Sequence, residues 1–215
     1  MLNKIVNHDL CFCIPMNVFE QSLISNMASF DLDLSPETVS QLGEYYSLLT
    51  RWNDRLHLVA PCPPEEFAVR HVLESLLLLE HLPQNARVAD IGPGGGLPII
   101  PCLIARPDLQ ATLIESSQRK VVFLREASNH LSLRATIIAH PFEDVAAPAV
   151  SFVTCRALDQ FMRKLPALIN WAPRGSTLLL FGGETLGQQL RRANVNSERF
   201  LIPQSEKRYL FLATD

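Results

Sequence analysis

The spacing of apolar residues divides this chain into a helical first part and an alternating second part. Residues 18–30, 36–55 and 65–81 place apolar side chains three and four positions apart, as on one face of a helix. From residue 87 onward, short apolar runs alternate with amphipathic stretches. The predicted strands are 87–91, 111–115, 135–139, 149–155, 176–182 and 208–213, and the predicted helices are 98–105, 117–131, 157–171 and 184–194. This alternation is typical of an α/β fold with a mostly parallel sheet covered by helices on both faces.

Two regions follow from this pattern. Residues 1–84 are predicted to form an N-terminal tail with a helical extension, and residues 85–215 to form a Rossmann-like domain. Ser35 followed by Pro36 predicts the start of a helix, since serine caps helices and proline suits the first helical position. The weakest pattern is that of residues 1–34, and we expect part of this tail to be mobile or to act as an adaptor.

Composition narrows the class of protein. The five cysteines form no Cys-x-x-Cys pair, which predicts a reducing cytoplasm and neither a disulfide framework nor a metal site. No apolar run approaches the roughly 20 residues that span a bilayer, so no membrane partner is expected. The N-terminus also has no Ala-x-Ala cleavage site, which makes it a poor signal peptide.

Charge is unevenly distributed along the chain. Residues 1–84 contain four basic and eleven acidic residues, whereas residues 85–215 contain fifteen basic and eleven acidic residues. A partner that carries phosphates would therefore be met by the second part. The excess is modest, and ordinary solvated surface charge explains it equally well.

A glycine-rich turn follows the first strand of the second part. Gly92, Gly94, Gly95 and Gly96 lie between the apolar run 88–91 and the run that begins at residue 99. A strand, a glycine turn and a helix form the front half of a nucleotide-binding βαβ unit. Glycines let the backbone pass close beneath a ligand, and the helix start offers unpaired N–H groups.

Two acids accompany this turn. Asp90 ends the strand before it, and Glu115, 25 positions later, ends the next predicted strand, where a carboxylate can accept ribose hydroxyls. The pattern Asp-x-Gly-x-Gly-x-Gly is more similar to motif I of S-adenosylmethionine methyltransferases than to the dinucleotide fingerprint. A tight turn without any ligand is the structural alternative.

Several separated motifs carry a resemblance to a known family. They are Leu49-x-x-Trp52-Asn53-x-x-Leu56-x-Leu58, Arg70-His71-x-x-Glu74-Ser75, Asp90-Ile-Gly-Pro-Gly-Gly-Gly-Leu-Pro-Ile-Ile-Pro101 with Arg106-Pro107-Asp108, and Glu115-Ser116-x-x-Arg119-Lys120-x-x-Phe123-Leu124, with Arg156-Ala157 and Arg208 after them. Over about residues 35–213 the chain resembles the bacterial small-subunit ribosomal RNA methyltransferase G family, also called glucose-inhibited division protein B. Glu74 stands where that family usually has aspartate.

The resemblance implies a class I S-adenosylmethionine methyltransferase fold and methyl transfer to N7 of a guanine in small-subunit (16S) ribosomal RNA, alone or within a ribosomal assembly particle. The residues it implies for the site, together with the acids and glycines above, are Asp90, Gly92, Gly94, Gly96, Leu97, Glu115, Phe142, Glu143 and Arg156. Adenine would stack near Phe142 with Glu143 near its edge, and Glu115 would hold the ribose.

Arg156 is the predicted catalytic residue. It lies where the methionyl carboxylate or the entering guanine must sit, and a surface ion pair with Asp144 or Asp159 is the alternative. The cluster Arg70, His71, Glu74 and Ser75 is interpreted as a helix-surface network. Cys155 is interpreted as a small buried strand residue.

The chemistry needs few protein groups. N7 of guanine carries a lone pair and no proton, so catalysis reduces to alignment and desolvation, and no general base is required. The chain departs from the family at the end of strand five, where Phe181-Gly182-Gly183 replaces a lysine. Two alternatives therefore stay open: a divergent or non-catalytic homologue that binds the cofactor, and a nicotinamide-dependent oxidoreductase of similar fold.

Overall fold

The architecture was established from a computed structural model that describes residues 16–156 and 161–214. The expectations for residues 1–15, and the first four residues of the predicted helix 157–171, lie outside these ranges. The strands are β1 Arg87–Ile91, β2 Gln110–Ile114, β3 Ala135–Ile138, β4 Phe152–Cys155, β5 Thr177–Gly182, β6 Asn196–Leu201 and β7 Tyr209–Thr214. In the described part of the chain they form one sheet of order β3-β2-β1-β4-β5-β7-β6. Neighbouring strands among β1 to β5 are parallel, and β7 is antiparallel to both β5 and β6.

Helices surround this sheet as the alternation predicts. The α-helices are α1 Val18–Met27, α2 Pro36–Leu56, α3 Pro64–Glu66, α4 Glu74–Leu76, α5 Ile99–Ala105, α6 Gln118–His130, α7 Phe161–Trp171 and α8 Glu184–Arg192. The start of α2 is as predicted, because the Ser35 side chain accepts a hydrogen bond from the backbone N–H of Thr38 at 3.1 Å and Pro36 is the first helical residue. The predicted α/β fold with a mostly parallel sheet is therefore confirmed.

Residues 64–81 differ from the single regular helix that the sequence predicts. Between α3 and α4 the chain forms a π-helical section, Phe67–Leu73, and a 3-10 section, Leu77–His81, follows α4. We refer to residues 64–81 as the mixed helix. A π-helical turn inserts extra backbone into each turn, so the side chains after it point in directions that α-helical spacing does not give.

Strand β6 was not predicted. Its sequence, Asn-Ser-Glu-Arg-Phe-Leu, has no apolar alternation, and four of its six residues in a row, from Glu198 to Leu201, are exposed at the edge of the sheet. An edge strand with little burial leaves no period-two signal for sequence reasoning to detect.

The helical first part shares a hydrophobic core with the sheet. Buried residues of α1, α2 and the mixed helix, among them Phe19, Leu49 and Leu76, form one cluster with apolar residues of α5, α6 and β7. The two helices α7 and α8 cover the other face, where Leu165 and Leu186 pack in a second cluster. The N-terminal helices therefore lie on the same face as the helix that follows the glycine turn.

Candidate active site

The glycine turn joins β1 to α5 in a conformation that favours glycine. Gly94 and Gly96 have φ angles of +57° and +89°, in the left-handed region that L side chains rarely adopt. A Cβ on Gly96 would also lie 2.3 Å from Cδ1 of Ile100, so that no side chain fits there. The turn is tied to the sheet by the Gly92 N–H, which donates to the Ile114 carbonyl at 2.9 Å.

Helix α2 supports the turn from the side of the helical first part. The buried Tyr45 hydroxyl donates to the Gly95 carbonyl at 2.6 Å. A Cβ on Gly95 would lie 3.1 Å from Cδ1 of Leu49, so the helix packs directly on the backbone of the turn. Burial raises the pKa of Tyr45, which keeps this phenol neutral. The helical spacing of residues 36–55 gave no indication of this hydrogen bond.

Glu115 lies against the same turn. Its carboxylate is 5% exposed and accepts hydrogen bonds from the backbone N–H groups of Gly94, at 3.1 Å, and Ser117, at 2.8 Å. The acid after β2 and the glycine turn after β1 therefore meet, as expected for the carboxyl edge of a parallel sheet.

Asp90 is the most unusual charged residue of the site. It is 0% exposed, and among the described residues neither of its carboxylate oxygens has a hydrogen-bond partner. Burial raises the pKa of Asp90 well above its ordinary value. The neighbouring backbone N–H of Ile99, which does not reach hydrogen-bond geometry, offsets part of this increase, and the nearby Glu115 carboxylate adds slightly to it. An unpartnered buried acid is costly, and it fits a ligand that brings a positive charge or a donor.

The residues after β3 are placed differently from the expectation for adenine. The Phe142 ring is 3% exposed, and its centroid lies 5.7 Å from that of Trp171 in an edge contact. The ammonium group of Lys164 lies 5.6 Å from the Phe142 ring centroid and 3.0 Å from the Glu143 carboxylate. Stacking of adenine on Phe142 would require this ring to be uncovered. Leu97, also largely buried, directly follows the glycine turn.

Arg156 lies at the carboxyl end of β4 in a buried polar cluster. Its guanidinium donates to the Glu74 carboxylate at 3.1 Å, to the Ser75 hydroxyl at 3.2 Å and to the Arg70 carbonyl. It also lies 5.2 Å from the centroid of the Phe181 ring. Of its side chain 14% is exposed. The ionic partner of Arg156 in the described residues is therefore the buried Glu74 of the mixed helix and not Asp144, whereas Asp159, the other acid of the predicted surface pair, lies outside them.

The interpretation of Arg70, His71, Glu74 and Ser75 as a helix-surface network is also wrong for its last two members. Glu74 is 1% exposed and Ser75 is 0% exposed. Both follow the π-helical section, which redirects them from the surface toward the sheet. No signal available in α-helical spacing could have placed them there.

His71 lies next to this cluster and stays neutral at physiological pH. Burial and, to a lesser extent, the positive charges of Arg156 and Arg70 together lower its pKa to about 4. The imidazole packs on Phe67 with ring centroids 5.0 Å apart. An additional cation is thus disfavoured beside these arginines.

Comparison with known proteins identifies the family. A family model described as rRNA small subunit methyltransferase G, or GidB, matches residues 38–212. The chain belongs to this family. It is 32% identical over 182 residues to the ribosomal RNA small subunit methyltransferase G of Sorangium cellulosum, covering 81% of this chain and 76% of that protein. It is 39% identical over 139 residues to the protein of the same name from Gluconobacter oxydans, covering 65% and 69%.

The fold agrees with this assignment. A crystal structure of a SAM-dependent methyltransferase from Aquifex aeolicus superposes with a TM-score of 0.58 at 13% identity, covering 79% of this chain and 98% of that one. The predicted family, the class I methyltransferase fold and the dependence on S-adenosylmethionine are confirmed. Membership of the family also removes the nicotinamide-dependent oxidoreductase as an alternative.

Residues 16–156 and 161–214 show neither a membrane-spanning helix nor a metal-binding cluster. None of their helices is both long enough and apolar enough to cross a bilayer. The same residues contain no group of three or more His, Cys, Asp or Glu side chains placed to hold a metal ion.

Proposed function

We propose that this protein transfers the methyl group of S-adenosylmethionine to N7 of a guanine in small-subunit ribosomal RNA, in the cytoplasm. The observation that carries the proposal is the unpartnered, fully buried Asp90 carboxylate beside the glycine turn, in a chain of the rRNA small subunit methyltransferase G family. The cofactor supplies an activated methyl group on a sulfonium centre and also carries an ammonium group, and both charges are of the sign that Asp90 can receive.

The remaining cofactor contacts follow from the same edge of the sheet. Glu115 would accept the two ribose hydroxyls, in place of or beside its present contacts with the Gly94 and Ser117 amides. Gly92, Gly94, Gly96 and Leu97 would line the path of the methionyl end. Phe142 and Glu143 would border the adenine.

The reaction at N7 places modest demands on the protein. The nitrogen lone pair attacks the methyl carbon directly, so this chain must orient the base and exclude water, and need not remove a proton. Arg156, in the predicted catalytic role, lies at the end of β4 beside β1, between the cofactor edge and the next strands. Its guanidinium is fixed by four groups of the protein and can orient an anionic or carbonyl group of a bound partner.

The decisive experiment uses small ribosomal subunits from a bacterial strain that lacks the corresponding enzyme. The purified protein is incubated with these subunits, or with their protein-free RNA, and labelled S-adenosylmethionine, and the digested nucleosides are analysed by mass spectrometry. We expect 7-methylguanosine to appear, and comparison of the two reactions shows whether the particle or the free RNA is the better substrate. Binding of S-adenosylmethionine without methylation of either substrate would instead support a non-catalytic homologue, which the absence of a lysine at Phe181-Gly182-Gly183 favours.

A further inference from the structure

Glu74 joins two arginines that come from different strands. One of its carboxylate oxygens accepts a hydrogen bond from Arg208 at 2.6 Å, and the other accepts one from Arg156 at 3.1 Å. We call Glu74, Arg156 and Arg208 the arginine clamp. Three distant segments of the chain, the mixed helix, the end of β4 and the residue before β7, are thus held together at a buried carboxylate.

The alternation of the strands explains why these side chains meet. In β5, Leu179 and Phe181 face the helical first part, while Leu178 and Leu180 face α7 and α8. In β7, Leu210 belongs to the first of these faces, so Arg208, two residues earlier, points to the same side. The contact of Arg156 with Phe181 places it on that side as well. The clamp is therefore set by the pleat of the sheet and by the π-helical section that turns Glu74 inward.

The charge of the clamp is unbalanced. Two guanidiniums share one carboxylate, which leaves one positive charge. Arg156 is largely covered, whereas 36% of the Arg208 side chain is exposed. Within the described residues, the buried Nε of Arg208 has no hydrogen-bond partner. The clamp thus offers an anion the positive charge of the exposed part of the Arg208 side chain.

Arg156 and Arg208 flank strands that lie at different distances from the glycine turn. Strand β4 neighbours β1, where the glycine turn begins, whereas β7 lies three strands from β1. At about 4.8 Å per strand this separation is about 14 Å. Arg208 therefore begins farther along the edge from the glycine turn than Arg156 does.

We propose that Glu74 is a positioning residue that holds Arg208 toward a phosphate of the RNA substrate while fixing Arg156 at the cofactor edge. This inference rests on the proposed function for the identity of the partner. Phosphate contacts orient a nucleic acid on a protein, and a preformed guanidinium loses less freedom on binding one. The carboxylate of the methionyl group is the other anion within chemical reach, and the test separates the two.

Two variants test the clamp. Glu74→Gln keeps the shape of the side chain but removes its charge, and Arg208→Gln leaves the Glu74–Arg156 pair intact and charge-balanced, which protects the fold. For each, the affinity for small ribosomal subunits is measured by filter binding over a range of salt, the affinity for S-adenosylmethionine by calorimetry, and the melting temperature by fluorimetry. We expect subunit binding at least tenfold weaker in both variants, with the S-adenosylmethionine affinity of Arg208→Gln within twofold of that of the unmodified protein.

The salt dependence gives a second readout that a merely structural role would not change. Loss of one phosphate contact should reduce the slope of log K against log [salt] by about 0.7–0.9 in Arg208→Gln. Glu74→Asp, which keeps the charge and has the residue usual in the family, should restore subunit binding to within threefold. Glu184→Gln is the matched control, since Glu184 also bridges two arginines, Arg191 and Arg199, but at the surface, and it should leave every readout unchanged.

Each outcome decides the inference. An unchanged salt slope in Arg208→Gln, or unchanged subunit binding in both folded variants, overturns it. Tenfold weaker S-adenosylmethionine binding in Arg208→Gln assigns the anion to the methionyl carboxylate and overturns the phosphate assignment. Because binding is measured directly, the clamp is supported even by a protein that never methylates the subunit, so its failure and that of the proposed function are distinguishable.

Discussion

Replacing Asp90 with asparagine should make the free protein more stable and the cofactor-bound protein harder to form. Asparagine has nearly the shape of aspartate, so the packing at the end of β1 is preserved. The change removes a carboxylate that is fully buried, whose oxygens have no partner among the described residues. The two effects have opposite signs because Asp90 is a cost to folding and, in the proposed function, a contact for the cofactor.

The magnitudes follow from this burial. Leaving a buried polar group without a partner costs about 1–3 kcal/mol, and more when the group is charged. Asparagine is itself a buried polar group, so Asp90→Asn recovers only the additional cost of the charge. At about 2–4 °C per kcal/mol for a chain of this size, each kcal/mol recovered should raise the melting temperature of the free protein by about 2–4 °C. A hydrogen bond to a charged group contributes about 1.5–3 kcal/mol, so the affinity for S-adenosylmethionine should fall by about 10- to 100-fold.

The pH dependence of stability supplies the control within the assay. Because the folded-state pKa of Asp90 is raised, its destabilising effect is absent below the unfolded pKa of about 3.9 and grows as pH rises toward the folded value. The gain in melting temperature should therefore shrink as pH is lowered from 7 toward 4. Asp144→Asn, a matched change at an exposed acid, should give no comparable gain.

Fluorimetric melting and calorimetric titration of the two variants test this reasoning. A lower melting temperature for free Asp90→Asn at pH 7 would refute it, and so would an increase that does not change with pH. Undiminished affinity for S-adenosylmethionine would show that the Asp90 carboxylate does not contact the cofactor.

Four further changes test the site. Glu115→Ala should weaken S-adenosylmethionine binding at least tenfold in calorimetry, since each ribose hydroxyl bonded to a carboxylate contributes about 1.5–3 kcal/mol; a change under twofold would place the ribose elsewhere. Gly94→Val should fold but lose cofactor binding, since a Cβ at this position meets nothing closer than 3.8 Å and the left-handed backbone costs about 1–2 kcal/mol. Unchanged cofactor affinity would make the turn purely structural. Arg156→Lys should cut methyl transfer to small-subunit RNA at least tenfold, and it should also lower the melting temperature because lysine cannot replace three separate hydrogen bonds; full activity would place Arg156 outside the site. His71 has a folded-state pKa of about 4 against 6.5, so protonation of the unfolded chain removes stability as pH falls from 6.5 to 4, and His71→Phe should flatten the melting temperature over that interval; an unchanged profile would contradict the assigned pKa.

Helices and strands whose apolar residues recur at regular spacing could be predicted from the sequence. The parallel strands are buried runs, and their carboxyl ends must share one edge, so the meeting of Glu115 with the glycine turn followed from spacing alone. The family motifs then identified the cofactor and reaction class, which the comparisons confirm.

Features that depend on irregular backbone could not be predicted in this way. The inward direction of Glu74 results from a π-helical section that no apolar period encodes, and the Tyr45 contact with Gly95 joins residues 50 positions apart. Strand β6 pairs with a neighbour on one side only, and most of its residues are exposed. Backbone hydrogen bonds hold it in the sheet, so its side chains need not alternate between apolar and polar. Local propensity is overridden in each case by a tertiary contact.

The missing lysine at the end of strand five has a physical basis in the packing around it. A Cβ on Gly182 would lie 2.6 Å from Cδ2 and 2.9 Å from Cβ of Leu186, so a lysine at that position would require α8 to repack. Phe181, the residue before it, already lies against the guanidinium of Arg156. An aromatic ring and a close glycine–helix contact therefore occupy the place where the resemblance predicts a lysine.

That arrangement bears on whether the chain is an active enzyme or a relic. A buried ion pair costs desolvation and contributes little net stability, so a site released from function would be expected to replace it with apolar packing. In this protein the position is occupied by the acid Glu74, which is 1% exposed, and each of its carboxylate oxygens accepts a hydrogen bond from an arginine. Arg156 also contacts Ser75 and Phe181. Two arginines paired to one buried carboxylate, where stability alone does not require them, favour an active methyltransferase.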